Sequence, residues 1–198
     1  MLFSFKPCFC APKLAIVLTL LVMILNLFVP QKVQAAVVLE EPHFCGPFRS
    51  EAETLPHIVP VLYDVVSGAT GEERNWQLLH DLFAPTATIT PLFHREGMPD
   101  ISVLTASEFV ELNKLLFKDM GFYETETYNQ TLQVGHMATV ISAYESRESP
   151  GKPAYSRGIN TFQLVNDGRR WCVISVTWDS DKGGHDIAGS IAEVFGTE

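Results

Sequence analysis

Apolar residues recur at helical spacing through Leu55, Ile58, Val59, Leu62, Val65 and Val66, and again through Trp76, Leu79, Leu82 and Phe83. Pro56 and Pro60 interrupt the first series, which predicts a regular helix starting near residue 60 and ending at Ser67-Gly68. The second series predicts a helix over residues 72–83, stopped by Pro85. The β-branched run at 86–93 predicts a short strand, and residues 94–100, with Gly97 and Pro99, a loop. Thr105 then precedes Glu108 by three, a capping-box signature for a helix carrying Phe109, Leu112, Leu115, Leu116 and Met120, closed by Gly121. After Gly121 the period changes to two. Strands are expected over 122–134, 136–147, 155–165 and 171–179, with Asn166-Asp167-Gly168 turning the last hairpin.

Helix, helix, strand, helix and a four-stranded meander predict an α+β domain, with three N-terminal helices packed on a curved, mainly antiparallel sheet. Its span is residues 53–181. Residues 36–52 read as an extended arm, and 182–198 as a flexible, glycine-rich tail that is weakly helical at best. The first 35 residues differ from the rest. Lys6 and Lys13 precede an apolar run from Leu14 to Val29, and small residues follow at Val33-Gln34-Ala35, which predicts a signal peptide cut after Ala35. That run is shorter than the ~20 residues a membrane-spanning helix needs. Export to the periplasm or medium is the expectation, with no membrane attachment after cleavage.

Charge narrows the partners. The chain carries a net charge of −9, and removing Lys6, Lys13 and Lys32 makes it −12. Such a surface repels phosphate backbones, so nucleic acid is not an expected partner. Cys8 and Cys10 fall within the signal segment, leaving Cys45 and Cys172. Two thiols in an oxidising compartment make a disulfide candidate and give no zinc-binding spacing, although one buried and one exposed thiol would fit the sequence as well. The six histidines form no site by spacing, and no nucleophile elbow, phosphate-binding glycine loop or metal motif occurs. Neither a cofactor nor a metal is expected.

Several stretches resemble the nuclear transport factor 2-like superfamily, the cone-shaped fold that includes SnoaL-type polyketide cyclases and ketosteroid isomerases. They are Leu62-Tyr63-Asp64, the run Leu78-Leu79-His80-Asp81-Leu82-Phe83-Ala84 with Thr86-Ala87-Thr88-Ile89, and the hairpin Asp167-Gly168-Arg169-Arg170-Trp171-Cys172-Val173-Ile174. Tyr144-Glu145-Ser146-Arg147 with Arg157-Gly158-Ile159-Asn160 resembles a bacterial group of this fold without an assigned activity. The likeness runs from about Leu55 to Asp179. It implies the cone fold and a dimer, and it transfers no catalytic residue, because one fold hosts many chemistries.

Candidate residues follow from the strands. Pairing Glu145 with Arg157 sets Ala143 opposite Ile159 and Ser142 near Asn160, so Glu145, Arg147 and Arg157 read as cross-strand ion pairs. Asn160, Gln163, Ser142 and Tyr144 are neutral polar groups among apolar strand residues, the composition of a pocket wall or of satisfied buried amides. His94 and His136 sit at strand ends where either could reach a pocket mouth. In the last strand, alternation places Cys172, Ile174, Val176 and Trp178 on one face and Trp171, Val173, Ser175 and Thr177 on the other. Two apolar faces suggest a homodimer through the outer sheet face, or else a tail folded back over it.

Three functions follow in order. The leading expectation is a domain that binds a small apolar molecule in a cavity lined by Tyr63, Trp76, Tyr144, Asn160 and Trp178. The second is a cofactor-free isomerase, dehydratase or cyclase acting on an apolar carbonyl compound, which requires a buried acid or base with a shifted pKa. The third is a protein-interaction module whose cavity is filled. An open cavity holding a shifted carboxylate would favour the enzyme, and one with only neutral polar groups would favour binding.

Overall fold

The computed structural model describes residues 43–196. The expected signal peptide and the arm up to residue 42 lie outside the described residues. The first long helix, α1 (Leu55–Val66), begins earlier than the prolines suggest. Pro56 lies in the first turn, where a backbone N–H has no intrahelical partner, so it costs nothing there. Pro60 removes one helical hydrogen bond, and burial of Ile58, Val59, Leu62 and Val65 holds the helix regardless. Helix α2 (Trp76–Leu82) starts later than expected. Arg74 occupies its approach, donating to the carbonyls of Val66, Gly68 and Glu72 at 3.1, 2.9 and 2.8 Å and lying 4.3 Å from the Phe117 ring centre. Asn75 then caps the helix by accepting from the Leu78 amide. Helix α3 (Ala106–Leu116) has both halves of the capping box predicted at Thr105 and Glu108.

Six strands follow the order β2-β1-β6-β5-β4-β3. They are β1 (Phe83–Arg95), β2 (Met98–Ile101), β3 (Tyr123–Val134), β4 (Met137–Arg147), β5 (Ser156–Asn166) and β6 (Trp171–Ser180). The β1–β6 pair is parallel and the others antiparallel. The α+β class therefore stands, with helices packed on a mixed sheet. Residues 94–100 are not a loop. Glu96 (φ 53°) and Gly97 (φ 79°) both take the left-handed conformation that a tight hairpin turn requires, and Pro99 is tolerated because β2 is an edge strand. The β4–β5 register is the one predicted from Glu145 opposite Arg157, with Ser142 opposite Asn160. Arg157 Nε sits 2.9 Å from Glu145 Oε1, and Arg147 contacts the same carboxylate.

Two bulges decide which residues face inward. In β3 the pairing shifts between Glu126 and Tyr128, so that Glu124 lies opposite Ser146 and Glu126 opposite Tyr144. Without the extra residue Glu124 would face Arg147 on the outer side, because a one-residue slip exchanges the faces. In β6 the shift at Ile174 pairs Val173 with Leu164 and Trp171 with Asn166. Trp171 and Val173 thus join Val176 on the inner face and are buried there, correcting the simple alternation expected for this strand. This removes much of the apolar outer surface from which a sheet-to-sheet dimer was inferred.

The tail also differs from its expected flexibility. After a 3-10 turn at Asp181–Gly183 it forms helix α4 (Ile187–Phe195), with the Asp186 carboxylate accepting from the Gly189 amide at 2.9 Å. Ile187 and Ile191 pack with Ala143 and Ile159, and Phe195 stacks on Tyr128, so the helix covers part of the outer sheet face. An apolar i, i+4 pair behind an N-cap aspartate drives this, and the neighbouring glycines mask the signal in the sequence.

The entering chain is fastened to the last hairpin. Cys45 and Cys172 are joined by a disulfide, their Cα atoms 5.5 Å apart. Asp167 accepts from the amides of Cys45, Arg169 and Arg170. The fully buried Arg170 donates to the carbonyls of Cys45, Asp81 and Trp171.

Candidate functional site

Helices α1 and α3 do not close down on the inner sheet face. They leave a cavity of about 720 Å³ between them and β1, β3, β4, β5 and β6. Most of its wall is apolar, from Leu62, Leu79, Ile89, Phe117 and Val176 within to the half-exposed Phe93 and Leu116 at the rim. Among the polar groups of the wall are Tyr63 on α1, Glu124 on β3, Tyr144 and Ser146 on β4 and Asn160 on β5, with Tyr155 just before β5, and His94 and Lys182 join them where β1 and the chain after β6 meet the opening.

One set of polar groups is internally closed. Asn160 Nδ2 donates to Tyr63 Oη at 2.9 Å, Tyr63 Oη and Ser142 Oγ are 2.7 Å apart, and Ser142 Oγ donates to Glu126 Oε1 at 2.5 Å. Because the serine proton goes to Glu126, the tyrosine proton goes to the serine. Burial raises the Tyr63 pKa above its ordinary value, so the hydroxyl stays protonated. Tyr144 is different. Its pKa is also raised by burial and then by Glu124, and its hydroxyl makes no side-chain hydrogen bond among the described residues. It offers a free donor to the cavity.

Glu124 is the exceptional group. Its backbone amide is fixed by Ser67 Oγ at 2.9 Å, at the end of α1, while its carboxylate accepts a single long bond of 3.3 Å from Ser146 Oγ. No cation pairs with it among the described residues. The side chain is partly buried and forms part of the cavity wall. Burial pushes its pKa up to about 8, with Ser146 offsetting part of the rise. A carboxyl that is mostly protonated at neutral pH and close to releasing its proton can act as either acid or base.

Of the residues expected to line a cavity, Tyr63, Tyr144, Asn160 and Trp178 do so together. Trp76 does not. It opens α2 and stacks on Phe117 at 6.1 Å, so that Phe117 faces the cavity in its place. Gln163 is on the outer face, odd in register from Asn160, and bonds to Thr139 Oγ1 at 3.0 Å. His94 reaches the rim as anticipated, whereas His136 is exposed on the β3–β4 turn. Glu124 was missed, since Tyr123-Glu124-Thr125-Glu126 reads as the solvated side of an edge strand until the bulge is known.

Gly158 makes the Tyr144 position possible. A Cβ there would lie 2.4 Å from Tyr144 Oη and 2.4 Å from the Asp179 carbonyl oxygen. Gly158→Ala is therefore expected to displace the tyrosine and cost ~1–3 kcal/mol, as overpacking does. Urea unfolding measures this, and an unchanged midpoint would mean the ring has room to move.

Solved structures share this architecture. A protein of unknown function with a cystatin-like fold from Nostoc punctiforme matches with a TM-score of 0.50 at 10% identity, over 66% of this chain and 95% of that one. A nuclear transport factor 2-like protein of unknown function from Pseudomonas putida also has a TM-score of 0.50, at 9% identity, over 63% and 82% of the two chains. The chain has the nuclear transport factor 2-like fold. No protein-family model matches the sequence, and no curated protein matches it. A fold hosts many chemistries, so the chemistry of this cavity lies in the residues within it.

Proposed function

We propose that the cone cavity performs acid–base chemistry, without an organic cofactor, on a small and largely apolar carbonyl compound. The observation that carries this reading is Glu124, a carboxyl with one long hydrogen bond in the wall of an open, mainly apolar cavity. Apolar walls and an apolar rim select the ligand class. Glu124, in its ionised fraction, removes a proton from the carbon beside the carbonyl and returns it to a neighbouring position. Tyr144 donates a hydrogen bond to the carbonyl oxygen as negative charge develops there. The Asn160–Tyr63–Ser142–Glu126 chain orients the amide of Asn160, which retains a second N–H and a carbonyl oxygen for the ligand.

A binding-only reading draws on that same closed chain, whose Asn160 end offers a neutral amide to a ligand and moves no proton. The two readings separate in one experiment. The purified protein is incubated in D2O with a panel of apolar ketones, and deuterium entry beside the carbonyl is followed by NMR. Acid–base chemistry predicts accelerated exchange for part of the panel, lost by ~10²–10⁴-fold in Glu124→Gln. Ketones that bind with no exchange above the buffer rate would leave the binding reading in its place.

The protein is further proposed to act outside the cytoplasm. The Cys45–Cys172 disulfide and the charge-then-apolar pattern of residues 6–35 both support an oxidising, exported setting.

A further inference from the structure

Three donors that the sequence keeps far apart meet at the cavity rim. His94 lies on β1, Asp179 on β6, and His185 between the 3-10 turn and α4. One ligand atom from each falls within 4.8 Å of the other two. His94 Nε2 is 2.7 Å from Asp179 Oδ1, and His185 Nε2 is 3.8 Å from Asp179 Oδ2, so the two imidazoles flank the two oxygens of one carboxylate. We propose that His94, Asp179 and His185 form a binding site for a divalent transition-metal ion of the zinc type. This inference is independent of the chemistry assigned to Glu124.

The donors and their support both favour a metal. Two imidazoles and one carboxylate suit zinc, cobalt or nickel, whereas calcium and magnesium prefer oxygen ligands alone. Bonds of ~2.0–2.2 Å place tetrahedral ligand atoms ~3.3 Å apart, so ligand atoms that already lie within 4.8 Å of one another need side-chain adjustments of at most about 1.5 Å to close on one ion. The carboxylate is already oriented, since the Ser180 amide donates to Asp179 Oδ1 at 2.7 Å. Gly183 brings the turn against both rings: a Cβ there would lie 2.4 Å from His94 Cε1 and 2.8 Å from His185 Cδ2. Lys182, the adjoining cation, is drawn away to the Tyr155 carbonyl at 2.5 Å. His94 also lines the cavity, so three protein ligands would leave a fourth metal position at its rim.

Untagged protein, stripped with chelator and desalted, is titrated with Co²⁺ by visible absorption and with Zn²⁺ by calorimetry. The expected result is one Co²⁺ per chain with the intense visible bands of a tetrahedral site, displaced by Zn²⁺. His185→Ala, at an exposed position, and Asp179→Asn should each weaken Zn²⁺ binding by more than ~100-fold, beyond the effect of losing a group that only supports a ligand. His136→Ala, on the far β3–β4 turn, should leave it unchanged. No stoichiometric uptake by the wild type would overturn the site, as would uptake indifferent to both His185→Ala and Asp179→Asn.

Discussion

Glu124→Gln is expected to be more stable than the wild type at pH 9 by ~3–5 kcal/mol, and close to it at pH 4. The unfolded carboxyl titrates near 4.5 and the folded one at about 8. Below 4.5 both states hold the proton and the group adds no penalty. Between 4.5 and 8 the folded chain keeps a proton that the unfolded chain releases, so stability falls as pH rises, by up to ~1.4 kcal/mol per pH unit. Above 8 the folded state holds an ionised carboxylate that has no cation partner among the described residues, and the loss is complete. Glutamine has nearly the same shape and no charge to bury. Urea unfolding of both proteins from pH 4 to 9 gives the two profiles, and parallel profiles would show that Glu124 ionises as freely folded as unfolded. A variant that gains stability while losing proton transfer is the trade expected where a destabilising group is retained for chemistry.

Loss of the Cys45–Cys172 disulfide is expected to cost ~3–5 kcal/mol. The bridge closes a loop of 127 residues, long enough that its constraint on the unfolded chain is large. It also holds the backbone of Cys45, whose amide and carbonyl serve Asp167 and Arg170. Arg170 is fully buried and its Nε has no partner among the described residues, so movement of Cys45 would remove an acceptor from a side chain with none to spare. At ~2–4 °C per kcal/mol for a domain of this size, reduction should lower the thermal midpoint by about 6–20 °C. Cys45→Ser with Cys172→Ser checks the same quantity without reductant. A midpoint indifferent to both would show that the polar network alone holds the arm.

The elements were readable from periodicity because most of their stabilisation is burial of a face. The capping box at Thr105, the turn at Asn166-Asp167-Gly168 and the register of Glu145 against Arg157 each depend on local chemistry, and each has the expected place. What local pattern could not show was the sidedness of β3 and β6. A bulge is a single extra residue with no fixed sequence signature here, yet it moves Glu124 into the cavity and Trp171 and Val173 off the outer face. Trp76 illustrates a different limit. Helical spacing put it on the buried side of α2, but only packing shows that Phe117 stands between it and the cavity. The α4 helix was legible in Asp186, Ile187 and Ile191, though the run of glycines before it outweighed them. His94 and His185 are 91 residues apart, and nothing short of the fold brings them to one carboxylate.

The proposed chemistry requires that Glu124 carry a proton at neutral pH inside an open cavity. Its most direct test is the carboxyl ¹³C chemical shift of selectively labelled glutamate followed from pH 3 to 10, with the Glu124 signal assigned by its absence from Glu124→Gln. A titration midpoint near 8 is the predicted result. A midpoint near 4.5, with the ordinary glutamates, would contradict the account, leaving the cavity with an ionised carboxylate and the function to be sought in binding alone.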